Sequence, residues 1–69
     1  MANGKILEDF GILNEPEERY QKKFVKCEWY GHSPCYEIRM FDGDKPMKRA
    51  GLNLSELKKM KEVLNNMDI

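Results

Sequence analysis

The sequence predicts an α+β domain, four β-strands followed by one C-terminal helix, and three observations carry that expectation. Residues 36–41, YEIRMF, alternate sides as strand residues do, with Tyr36, Ile38 and Met40 on one face and Glu37, Arg39 and Phe41 on the other. Asp42-Gly43-Asp44 is turn chemistry, since Asp bonds its own backbone and Gly accepts positive φ, so the strand folds back as a hairpin. Leu57, Met60, Leu64 and Met67, with Val63 beside them, recur at helical spacing and predict one amphipathic stripe packed on the sheet. The 36–41 strand is the centre of the expected function. Its first face is core material, whereas its second places the Arg39 cation beside an exposed Phe41 ring.

The remaining elements follow in chain order. Residues 5–13, KILEDFGIL, read as a first strand with Ile6, Phe10 and Ile12 on one face and Leu7 and Leu13 on the other, a strand that meets both a core and a partner. Asn14-Glu15-Pro16-Glu17-Glu18 ends it, because Pro cannot donate to a ladder. Residues 19–30, RYQKKFVKCEWY, form the second strand; neither alternating set is purely apolar, which predicts a β-bulge within it and leaves the facing of Lys26 and Trp29 open. Gly31-His32-Ser33-Pro34 closes a hairpin onto the third strand. Lys48 and Arg49 lead the fourth, through Ala50-Gly51-Leu52-Asn53-Leu54. The helix is expected over residues 55–67, capped by Ser55 with Glu56 at its positive end.

With 69 residues the chain makes one domain, spanning 1–69. A chain of this size buries only about 60% of its unfolded surface, so an unsupported core is marginal. Disulfides are not the expected support: Cys27 and Cys35 form no CxxC pair, and no signal-like segment opens the chain. No apolar run approaches a membrane span. The expectation is therefore a cytoplasmic protein with reduced thiols, nucleoid association included, supported by pairing into a homodimer. Net charge is zero but unevenly spread, with residues 1–19 at −3, residues 20–50 at +3 and residues 51–69 neutral. The basic middle also holds Tyr20, Phe24, Trp29, Tyr30, Tyr36 and Phe41. Cations interleaved with aromatic rings suit single-stranded nucleic acid, whose phosphates need charge and whose unpaired bases need flat surfaces. The same composition also describes buried aromatics with a solvated lysine rim.

Catalysis is not expected. Cys27, His32 and Cys35 match no common zinc spacing and lack a fourth ligand, so no metal and no cofactor is expected. A cysteine nucleophile with His32 as base has no residue placed to orient that base. Asp42 and Asp44 are turn formers, there is no phosphate-binding glycine loop, and no small-molecule substrate is implied.

The order Trp29, then Tyr36-Glu37-Ile38-Arg39 with Phe41, then Lys48-Arg49 and Gly51-Leu52-Asn53-Leu54-Ser55 before an amphipathic helix, resembles the Positive Cofactor 4 family of transcriptional coactivators. The short bacterial, YdbC-like branch is the nearer likeness, over roughly residues 19–67. The chain departs from that pattern at Glu37, where Asp is usual, at Phe41, often Trp, and at Ala50, often Gly or Lys. The resemblance implies a homodimer of curved four-stranded antiparallel sheets backed by helices. It also implies binding of single-stranded DNA with little sequence preference, in transcription or DNA maintenance. Carried over by position, Trp29 and Phe41 become stacking rings. Arg39, Lys48 and Arg49 become phosphate contacts, with Lys23 and Lys26 added. A dimeric protein-interaction module and an RNA-binding protein are the alternatives.

Overall fold

Among the described residues, four strands pair in chain order into one antiparallel sheet and one helix follows them: β1 (Gly4–Ile12), β2 (Gln21–Trp29), β3 (Cys35–Asp42), β4 (Lys45–Arg49) and α1 (Leu54–Asn65). The computed structural model describes residues 4–15 and 17–68. Pro16, expected to end the first strand, lies outside the described residues. The least extent of the protein is 16 Å, room for one sheet and one layer of helix. The expected α+β order is thus observed, as an open sheet. Among the described residues no helix is long and apolar enough to cross a membrane.

The bulges sit where the sequence did not place them. β2 pairs with β3 in unbroken register, from Gln21 opposite Phe41 to Cys27 opposite Cys35. The irregularities fall instead in β1, between Ile6 and Glu8 and between Asp9 and Gly11, and again opposite β3 between Arg39 and Phe41. An extra residue inverts the alternation. Ile6 and Ile12 therefore lie opposite Cys27 and Lys23, whereas Phe10 turns to the other side and packs at a tilt against Phe24, with ring centroids 5.1 Å apart. β2 needs no bulge because it buries apolar side chains on both faces: Phe24 on one side, Val25 and Cys27 on the other.

Two further boundaries differ from expectation. The fourth strand is Lys45–Arg49, and only the amide of Ala50, donating to the Ile38 carbonyl, prolongs its ladder. Residues 51–53 lead into the helix, whose N-cap is Asn53 rather than Ser55. Asn53 Oδ1 accepts from the Glu56 amide and Glu56 Oε1 accepts from the Asn53 amide, a reciprocal capping box. Lys22 of β2 donates to the same carboxylate at 2.6 Å and to the Gly51 carbonyl at 2.7 Å. This clamp points Glu56 inward and sets the rotation of the helix. Glu56, Met60, Val63 and Met67 become the sheet-facing row, and Leu57 and Leu64, expected in the core, are exposed.

The Lys22 hydrogen bond, and after it the Asn53 amide, hold the Glu56 carboxyl below its ordinary value of 4.5 against a smaller opposing effect of burial. The unfolded chain therefore takes up this proton at higher pH than the folded one, and the stability the clamp contributes is present at neutral pH and lost as pH falls below the ordinary carboxylate range. In Glu56→Gln the thermal midpoint is expected to lie lower at neutral pH and to fall less steeply in acid. Parallel acid profiles of the two proteins would show that the clamp contributes nothing.

Candidate nucleic-acid interface

The register divides the expected site residues between the two sides of the sheet. Directly opposed residues share a face, so Lys23, Val25 and Cys27 of β2 stand with Arg39, Glu37 and Cys35 of β3. Trp29 continues that row and donates its indole N–H to Glu37 Oε2 at 3.3 Å. Lys22, Phe24 and Lys26, with Met40, Ile38 and Tyr36, face the helix. The helix meets this second side, where Val63 and Met67 line hollows shared with Phe10. The first side carries no other element among the described residues.

On this open face an apolar floor lies under a roof of long polar side chains. Val25 and Cys27 have no exposed surface, and Phe41 is 3% exposed. The Lys23 ammonium sits 5.0 Å from the centre of the Phe41 ring and pairs with Asp9 at 3.1 Å. The Arg39 guanidinium lies over the Trp29 ring at 4.7 Å, bonds Glu37 at 2.6 Å, and reaches the Met47 carbonyl. Arg49 is directly opposite Arg39, a like-charge pair that would be unfavourable alone. Glu37 relieves it by meeting Arg49 as well, at 3.5 Å. Burial alone pushes the Glu37 carboxyl up, but the Arg39 hydrogen bond, with further donors, outweighs it and holds the group below 4.5.

Of the residues expected to contact nucleic acid, Lys23, Trp29, Arg39, Phe41 and Arg49 are brought together on this face. Arg49 is the most exposed of the three cations on this face, its side chain 74% exposed against 17% for Arg39 and 14% for Lys23. Lys48 is exposed on the edge strand β4. Lys26 is not among them, since its ammonium lies 5.9 Å from the Tyr36 ring on the helix side. Phe41 is not the exposed ring that alternation suggested. Alternation gives the side on which a ring projects, and the Lys23 side chain, with its ammonium over the ring, then lies across it.

Two features of the face escaped the sequence reading. Gly4 lies opposite Trp29, and a Cβ there would strike the indole ring and the Glu28 carbonyl, so the glycine is what seats the tryptophan. Tyr30 and Gly31 both have positive φ, 37° and 70°, and the His32 amide donates to the Trp29 carbonyl at 2.7 Å. This is the geometry of a type I′ turn, which favours Asn-Gly. Tyrosine occupies a backbone conformation that costs an L-residue about 1–2 kcal/mol, and the residue is 66% exposed beside Trp29. The turn residues expected at 31–34 thus begin one position earlier. The readable signal was the glycine alone.

Cys27, Cys35 and Glu37 bring two sulfurs and a carboxylate within 4.8 Å of one another. His32, the other ligand type considered, is not in the group. A cation entering here would meet a carboxylate already shared between Arg39 and Arg49, so these residues fit a metal poorly. No family model, no curated protein and no solved structure matches the chain.

Proposed function

We propose that the protein binds single-stranded DNA with little sequence preference on the open face of its sheet, and that it does so as a homodimer. The observation that carries the reading is the half-buried Trp29 ring, held under Arg39, hydrogen-bonded to Glu37 and seated on Gly4, beside the exposed Arg49 cation. The Arg39 guanidinium lies over this ring in the free protein, and an unpaired base takes its place there, stacking for about 1–3 kcal/mol whatever its identity. Arg49 and Lys48 lie on the edge strand β4, where they meet phosphates as the backbone passes, and Lys23 supplies a third charge. Arg39 orients the tryptophan, and Phe41 supports Lys23 from below. A duplex hides its base faces and binds less well. Competition against labelled oligo-dT tests this: unlabelled single-stranded DNA of any sequence displaces the probe, whereas duplex DNA and duplex RNA do so weakly. Stronger displacement by duplex RNA would favour the RNA reading.

Tyr30 extends the stacking surface. Tyr30→Asn places a residue suited to positive φ in the turn, so it is expected to raise stability by about 1 kcal/mol. It is also expected to weaken oligo-dT binding by about fivefold or more, the loss of one stacked ring. A variant that is neither more stable nor weaker in binding removes Tyr30 from the interface.

The helix supports the dimer, and it also supports a second reading. Leu54, Leu57 and Leu64 of α1 are exposed, and Leu57 and Leu64 line a shallow apolar hollow with Met60, Lys58 and Lys61. A second copy covering this stripe supplies the support that so small a domain needs. Leu57→Ser with Leu64→Ser is expected to shift sedimentation from dimer to monomer at micromolar concentration; an unchanged dimer would place the contact elsewhere. If the wild-type protein is monomeric and binds no nucleic acid, the stripe favours a protein-interaction module instead.

A further inference from the structure

Cys27 and Cys35 close the β2–β3 ladder as its last opposed pair, with their sulfurs 3.9 Å apart and no disulfide between them. Opposed residues on antiparallel strands have Cα atoms about 4.5 or 5.5 Å apart, depending on their place in the ladder. Both values fall within the roughly 4.4–6.8 Å that a disulfide spans. The sulfurs need only approach by rotation about the side-chain torsions; the strands need not move. We propose that Cys27 and Cys35 are a redox modification site, joined by a reversible cross-strand disulfide when the protein meets a hydroperoxide. This inference does not rest on nucleic-acid binding.

The surroundings assign the two thiols different tasks. Cys27 has no exposed surface, whereas Cys35 is half-buried, so a peroxide reaches Cys35 first. Cys35 Sγ lies 3.6 Å from Glu37 Oε2, which accepts the thiol proton as the sulfur attacks. The O–O bond breaks, Cys35 becomes a sulfenic acid, and the displaced hydroxide leaves as water with that proton. Cys27 Sγ then attacks the Cys35 sulfur, the S–O bond breaks, and the departing hydroxide takes the Cys27 proton as a second water. Two thiols are oxidised and one hydroperoxide is reduced. Burial first, and the Cys35 hydrogen bond next, push the Cys27 thiol up to about 12, so it does not react with peroxide by itself and acts only on a sulfur already beside it. The new bond ties the strands immediately below the turn that presents Trp29 and Tyr30.

The reduced full-length protein is treated with hydrogen peroxide, and intact mass, thiol content after denaturation and non-reducing electrophoresis are followed together. Both thiols are expected to disappear at the same rate, the mass to fall by two hydrogens, and the chain to keep the mobility of a single uncrosslinked polypeptide. Dithiothreitol is expected to restore both thiols. The oxidised protein should keep its melting transition and shift it upward. In Cys27→Ser the sulfenic acid on Cys35 has no resolving partner and is trapped by a dimedone-type reagent; in Cys35→Ser the Cys27 thiol survives the same treatment. The proposal is overturned if Cys35 gains oxygen atoms while Cys27 stays free, if the bonds form between chains, or if the thiols vanish only as the melting transition is lost.

Discussion

Phe41→Ala is expected to destabilise the domain by about 3–5 kcal/mol, the usual loss for a buried aromatic truncated to alanine. Phe41 is 3% exposed and lies beneath the Lys23 ammonium, where it forms the floor of the open face with Val25 and Cys27. Small domains hold only about 5–15 kcal/mol in total, so the loss is a large share of what keeps this one folded. Chemical denaturation shows it directly as a fall in the midpoint with little change in slope. Any weakening of oligo-dT binding should track the unfolded fraction. A folded variant with unchanged midpoint and weakened binding would instead return Phe41 to the role of exposed stacking ring that the family resemblance implies.

Arg39→Ala is the second large effect, and its pH dependence has a sign of its own. The substitution leaves Glu37, whose side chain is 9% exposed, without the guanidinium 2.6 Å away. Removing one partner of a buried pair costs about 3–5 kcal/mol, because a charge remains in a poor solvent; exposed Arg49, at 3.5 Å, offsets part of this. In the native protein the Glu37 carboxyl is held low, so stability is full at neutral pH and falls as pH drops through the carboxylate range. Without Arg39, burial dominates and pushes the carboxyl up. The folded state then takes the proton more readily than the unfolded one, so the deficit of the variant shrinks as pH falls. Glu37→Leu combined with Arg39→Met, which replaces the pair by apolar groups, is expected to recover most of the stability. A deficit that is the same at acid and neutral pH would mean that Glu37 is solvated rather than desolvated.

What the sequence could and could not show follows from the range of each signal. Alternation is local and rigid, so it correctly placed Arg39 with Glu37 and Phe41 and opposite to Ile38 and Met40. It says nothing of how thickly a face is covered, and Phe41 was misread as exposed because the cover comes from Lys23 on the neighbouring strand. Bulges are set by pairing between strands, which is why those of β1 were invisible and one was assigned to β2 instead. Asn53 and Ser55 are both good caps; Asn53 followed by Glu56 at the third position was a legible capping box, and its preference over Ser55 is fixed by Lys22 reaching across from β2. The same clamp rotates the helix, which turned Leu57 and Leu64 outward against a stripe that spacing alone assigned to the core. Trp29 fell on the open face once β2 proved regular, while Lys26 fell on the other side.

The salt dependence of oligo-dT binding, followed by fluorescence anisotropy for the wild-type protein and Arg49→Ala, tests DNA binding on this face most directly. Each phosphate contact to a single strand contributes a log–log slope of about −0.7. Binding is expected to weaken steeply with salt, and Arg49→Ala to bind more weakly with a slope shallower by about that amount. Affinity that does not change with salt, or equal slopes for the two folded proteins, would contradict it.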